Sequence, residues 1–102
     1  MTKEEFRKLT EQTLILDGAT GSNLMASGMP RGICTETWVI DHKDIIQNLQ
    51  RAYIKAGSQV IYAPTFGGNR LNLEKHGLAD RIEEINRTLV AYSKELAGNG
   101  VY

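Results

Sequence analysis

The sequence predicts an α/β fold covering residues 1–102: the first two βα units and the opening of a third strand of a larger parallel barrel. Two apolar runs, Thr13-Leu14-Ile15-Leu16 and Val60-Ile61-Tyr62-Ala63, each lead straight into a turn rich in glycine, as strands buried on both faces do. Each is followed by helix-spaced apolar residues, and Val101-Tyr102 then follows the turn signal Gly98-Asn99-Gly100. Strand, helix, strand, helix, strand is the order of a parallel sheet with right-handed crossovers. Two strands and a stub cannot cover both faces of such a sheet, so the pattern reads as the front of something larger.

The elements follow in order. Residues 3–12 are polar except for Phe6 and Leu9, three apart, which suits a short amino-terminal helix (residues 1–12) capping the bottom of the sheet. Strand one ends at Asp17-Gly18. Residues 18–42 carry four glycines and Pro30, and read as a long connection with a helical turn near residues 22–26. Over residues 43–56, Ile45, Ile46, Leu49, Tyr53 and Ile54 recur at three- and four-residue steps and Gly57 supplies a stop, which predicts a helix with one buried face. Pro64 closes strand two, because it cannot donate to a ladder. A short polar helix over residues 69–75, broken by Gly77, precedes a longer one on which Leu78, Ile82, Ile85, Leu89, Tyr92 and Leu96 alternate at four and three. That stripe covers under three heptads and sits between strands, which favours an outer helix over a coiled-coil seam.

Composition narrows the function classes. A chain of 102 residues allows one small domain, burying roughly 60–70% of its unfolded surface. Twelve basic residues balance twelve acidic ones and no basic stripe accompanies the aromatics, so nucleic acid is not the expected partner. No apolar run approaches the ~20 residues of a membrane span. A lone cysteine, Cys34, and the lack of a secretory signal pattern point to a reducing cytoplasm.

The chemistry-bearing residues cluster at the two turns. Asp17, Gly18 and Ala19 follow strand one; Thr65 and Phe66 follow strand two. In a parallel α/β sheet both turns open on the same face, where pockets are built. Asp17 supplies an acid and Gly18 a turn in which backbone can approach a ligand, the makings of a small-molecule site. The bland reading makes Asp17 a turn residue and Thr65 a strand end. His42 and His76, in polar sequence beside helix ends, read as capping or solvated groups. Trp38 suits either the pocket mouth or a loop anchor.

Three ordered motifs carry a resemblance: Ile15-Leu16-Asp17-Gly18-Ala19-Thr20-Gly21, then Tyr53-Ile54-Lys55-Ala56-Gly57-Ser58 leading into Val60-Ile61, then Thr65-Phe66-Gly67-Gly68-Asn69-Arg70. Together with Leu73-Glu74-Lys75-His76-Gly77-Leu78 they make the chain similar to the homocysteine S-methyltransferase family, most closely to the amino-terminal homocysteine-binding module of its cobalamin-dependent members. Pro64 stands where the family has a polar residue, and Gly68 where alanine is commoner; Glu36 resembles an acidic position of the family's long loop. The resemblance implies the first third of a (β/α)8 barrel of ~250 residues or more. It implies methyl transfer to the homocysteine thiolate, hence methionine formation, with Asp17, Gly18, Ala19, Thr65 and Phe66 as the substrate side.

It also implies zinc and cobalamin in a full-length member, together with the remaining barrel and methyl-donor domains as partners. A thiol of pKa ≈ 8.5 is mostly protonated at neutral pH, and zinc bound by about three protein ligands would activate it. The family's zinc cysteines belong to late strands, and no catalytic, metal or cofactor ligand is assigned on this chain, Cys34 included. The chain by itself is therefore expected to be inactive. Methylcobalamin is the preferred donor over S-methylmethionine and betaine, on overall likeness. Two other readings stand beside this one. The first is a self-contained oligomeric interaction module that completes its sheet by pairing edges between copies. The second is a phosphate-binding barrel fragment, against which the absence of GxGxxG and Walker spacing counts.

Overall fold

The computed structural model describes residues 1–98 and 100–102. Its regular structure is helical: α1 (Lys3–Leu9), α2 (Gly21–Ala26), α3 (Thr35–Asp41), α4 (Lys43–Ala56), α5 (Arg70–Glu74), a 3-10 turn (Ala79–Arg81) and α6 (Ile82–Lys94). This corrects the α/β expectation. Among the described residues there is no sheet, and extended pairing is limited to isolated bridges, Leu16 with Val60 in parallel and Gly98 with Val101 in antiparallel sense.

The physical reason lies in what covers the two apolar runs. Ile15 and Leu16 are 51% and 43% exposed and Tyr62 is 63% exposed, so burial fixes little beyond Ile61. A parallel strand is stabilised by neighbours on both edges and layers on both faces. Here the runs meet through a few backbone bonds, Gln59 N–H and Val60 N–H to Ile15 O (2.7 and 3.3 Å) and Asp17 N–H to Val60 O (3.0 Å), while Tyr102 donates to Gln59 O (2.9 Å) and its carbonyl accepts from Ile61 N–H (2.8 Å). The predicted third strand is limited to such contacts at Tyr102. Asn99 of the predicted turn lies outside the described residues.

The core is instead helix against helix. Leu24, Val39, Ile46, Leu73, Ile85 and Leu89 are fully buried, drawing on α2 to α6. At about 1.5–3 kcal/mol for each such side chain, this cluster is the chief stabilising element. α4 forms as its spacing predicts and ends at Gly57, whose φ of 116° is the left-handed cap that glycine adopts without penalty. α6 is shorter than its stripe, because Leu78 precedes the 3-10 turn and Leu96 follows the helix. α1 carries a capping box between Thr2 and Glu5, and none of its residues is fully buried.

α3 is the element the sequence reading passed over. Residues 35–41 lie in the predicted long connection, yet Val39 is fully buried, and Trp38 stacks on His42 at 3.8 Å with the rings 11° from parallel. His42 joins α3 to α4, with its Nδ1 2.7 Å from Trp38 O. Trp38 is thus an anchor at this junction.

Polar groups set the register of α4 on α6. The buried Gln50 donates to Tyr62 O (3.1 Å) and Ser93 Oγ (3.0 Å). Gln47 donates to Tyr92 O (3.0 Å) and to Glu95 (2.8 Å). That last bond, then the one from Lys43, holds the exposed Glu95 carboxyl below its ordinary pKa. Gln50→Leu keeps the volume but strands the Ser93 hydroxyl and the Tyr62 carbonyl. Chemical denaturation should show a loss of about 1–3 kcal/mol, partly recovered by adding Ser93→Ala.

Candidate functional site

A cleft of about 590 Å³ opens beside the second turn, within the size range of small-molecule sites. Its walls come from the start of α2 (Thr20, Gly21), from Ile33 and α3 (Thr35, Glu36), from the run Tyr62-Ala63-Pro64, and from Phe66 and Gly67. Asn72 and His76 complete it.

The turn at residues 65–69 is held from three helices. Gly68 N–H donates to Thr65 O at 2.9 Å, which closes the turn. From α3, Glu36 Oε1 accepts the Gly67 N–H at 2.8 Å. Asn72 Nδ2, on α5, donates to Gly67 O at 2.8 Å, and Asn86 Nδ2, on α6, donates to Gly68 O at 2.7 Å. Asn69 caps α5 by accepting from Asn72 N–H at 2.9 Å. Gly67 needs its missing side chain. A Cβ there would sit 2.5 Å from Glu36 Oε1 and 2.6 Å from Asn72 Nδ2.

Of the residues assigned to substrate from sequence, Phe66 lines the cleft, with its side chain fully exposed. Thr65 opens the turn, half-buried and off the cleft wall. Asp17 is also half-buried, and its Oδ2 accepts the N–H of Tyr62, a cleft residue, at 3.1 Å. Gly18 lies under Tyr53; a Cβ there would stand 3.0 Å from the phenol oxygen. The Ala19 carbonyl accepts from Tyr53 Oη (2.7 Å) and Asn23 Nδ2 (2.8 Å). The first motif therefore reaches the cleft through Thr20 and Gly21, and of the five assigned residues Phe66 is the one on the cleft wall.

Sequence reasoning singled out Glu36 by resemblance without giving it a role, and it did not place Asn72, Tyr62 or His76 at the site. Glu36 is 4% exposed, and its other oxygen lies 3.5 Å from Cys34 Sγ. The signal for it was an acid set among Cys34, Trp38, Val39 and Ile40, where a solvated face has no place. His76, read as solvated, is exposed and stands at the cleft. Among the described residues, no three His, Cys, Asp or Glu side chains stand close enough to hold a metal ion. No described helix is long and apolar enough to cross a membrane.

A largely apolar cleft with a few polar groups has the make-up of a small-molecule site. The comparisons give the chain's family. The family model for homocysteine S-methyltransferase matches residues 14–101, and the chain belongs to that family. It is 30% identical over 95 residues to a methionine synthase of Mycobacterium tuberculosis and 26% identical over 95 residues to that of Mycobacterium leprae. Over 90 residues it is 29% identical to the S-methylmethionine–homocysteine S-methyltransferase BHMT2 of Pongo abelii. Each alignment covers 87% of this chain, but 8% of either methionine synthase and 23% of the third relative.

Proposed function

We propose that this chain supplies part of the homocysteine site of a methyltransferase of the methionine synthase type, the cleft being where the amino acid is held. One observation carries the reading: both turn motifs border the same cleft, the first through Thr20 and Gly21, the second through Phe66 and Gly67. Asp17 has one carboxylate oxygen on Tyr62 N–H and is assigned the ligand's ammonium group through the other. Gly18 and Ala19 N–H donate to no protein acceptor among the described residues, which leaves them for the carboxylate. Phe66 forms the wall against the side chain, and Thr65 opens the turn that presents it. These are positioning roles, which hold the sulfur in line with the methyl group.

In the reaction, the homocysteine sulfur forms a bond to the methyl carbon as that carbon leaves its donor, after the thiol proton has been lost. Zinc, implied for that proton loss, does not fit the residues here: no three-ligand cluster exists among those described, and Cys34 is buried against Glu36. The cleft is assigned binding alone. Methylcobalamin is the proposed donor and the cytoplasm the proposed compartment.

Calorimetric titration of the full-length protein with L-homocysteine, beside inorganic phosphate, tests the reading. Saturable binding of homocysteine with none of phosphate is expected. Phosphate binding without homocysteine binding overturns it.

A further inference from the structure

Glu36 is a buried carboxylate that makes no ion pair among the described residues, and burying such a charge is costly unless something specific holds it. Its good hydrogen bond goes to the Gly67 amide, and Asn72 grips the carbonyl of the same residue. Gly67 follows directly on Phe66, whose ring is fully exposed and takes its place from the backbone alone. The space beside the Gly67 Cα is filled by Glu36 and Asn72, and no side chain fits there.

We infer that Glu36 is a positioning residue for the ligand, acting through the Gly67 amide to hold the Phe66 ring over the cleft. This rests on the reading of the cleft as a homocysteine site. The carboxylate touches no ligand; it stiffens the turn that presents the apolar wall. What matters in Glu36 is then an acceptor oxygen at the right place, and its charge is secondary. Gln at this position keeps the acceptor. Ala removes it and leaves the Gly67 N–H without a partner.

The test uses the full-length protein and two readouts. Hydrogen exchange of the peptide covering residues 66–69, measured without ligand, should accelerate at least about tenfold in Glu36→Ala and stay near wild type in Glu36→Gln. L-homocysteine Kd should rise roughly fivefold in Glu36→Ala and less than about twofold in Glu36→Gln. In a Phe66→Ala background, Glu36→Ala should add almost nothing, because the two residues act in series.

Equal losses in Glu36→Gln and Glu36→Ala overturn the inference, since they make the charge itself the working part. Additive losses with Phe66→Ala overturn it too, as does unchanged exchange in Glu36→Ala. Should wild type bind no homocysteine, the homocysteine reading fails, while the exchange data still decide whether Glu36 holds the turn.

Discussion

Asp17→Asn in the full-length protein should raise the homocysteine KM by roughly ten- to a hundredfold with little change in melting temperature. The two effects separate because the carboxylate has two edges. Oδ2 accepts the Tyr62 N–H at 3.1 Å, and the Asn carbonyl oxygen can take over that bond, so the junction between residue 17 and the cleft wall survives. What Asn cannot supply is the negative charge for an ammonium group. A hydrogen bond to a charged partner contributes about 1.5–3 kcal/mol, which sets the expected range. If binding energy is lost equally in ground and transition states, kcat is unaltered and KM carries the effect. Asp17→Ala, which also strands the Tyr62 amide, should lose both affinity and stability. An unaltered KM in Asp17→Asn, with the melting temperature lowered, would make Asp17 a structural cap of the Tyr62 amide and remove it from the site.

How much of this was legible in the sequence depends on which interaction decides each element. α4 and most of α6 were readable because a three- and four-residue stripe is both the local signal and the surface that packs: Ile46, Ile85 and Leu89 lie at its centre and are fully buried. The strands were misread because an apolar run records the need for cover without saying that cover exists. Ile15 and Leu16 have the composition of a buried strand and remain about half exposed. α3 escaped notice because its neighbours Gly28, Pro30 and Gly32 dominate the window, and seven residues carry too little periodicity to stand out.

The site divides in the same way. Motif spacing located both turns, and the cleft lies between them. It named Asp17 and Phe66 from their places within the motifs. It did not name Asn72 and Asn86, whose roles depend on two helices being brought against one turn from 5 and 18 residues away. An asparagine on a helix surface has no sequence signature for that contact, since the same residue is common as a solvated or capping group.

Gly67→Ala is expected to be the most damaging small substitution in the turn, lowering stability by about 3 kcal/mol and weakening homocysteine binding with it. The new Cβ would stand 2.5 Å from Glu36 Oε1 and 2.6 Å from Asn72 Nδ2, so it meets both groups that hold the Gly67 peptide. Overpacking costs typically 1–3 kcal/mol. Relief requires Glu36 to withdraw from the Gly67 amide, yet it is 4% exposed and a displaced buried carboxylate adds a comparable penalty. For a domain of this size the melting temperature should fall by roughly 12–24 °C. Gly68→Ala is the internal control. Its Cβ would lie 2.7 Å from Asn86 Oδ1, but Asn86 is only half-buried and can rotate away, giving up its 2.7 Å bond to Gly68 O. Calorimetric melting of the two variants should therefore rank Gly67→Ala well below Gly68→Ala. Equal melting temperatures would mean that Glu36 yields as readily as Asn86, and that the turn is set by its own 65-to-68 hydrogen bond rather than by the helices around it.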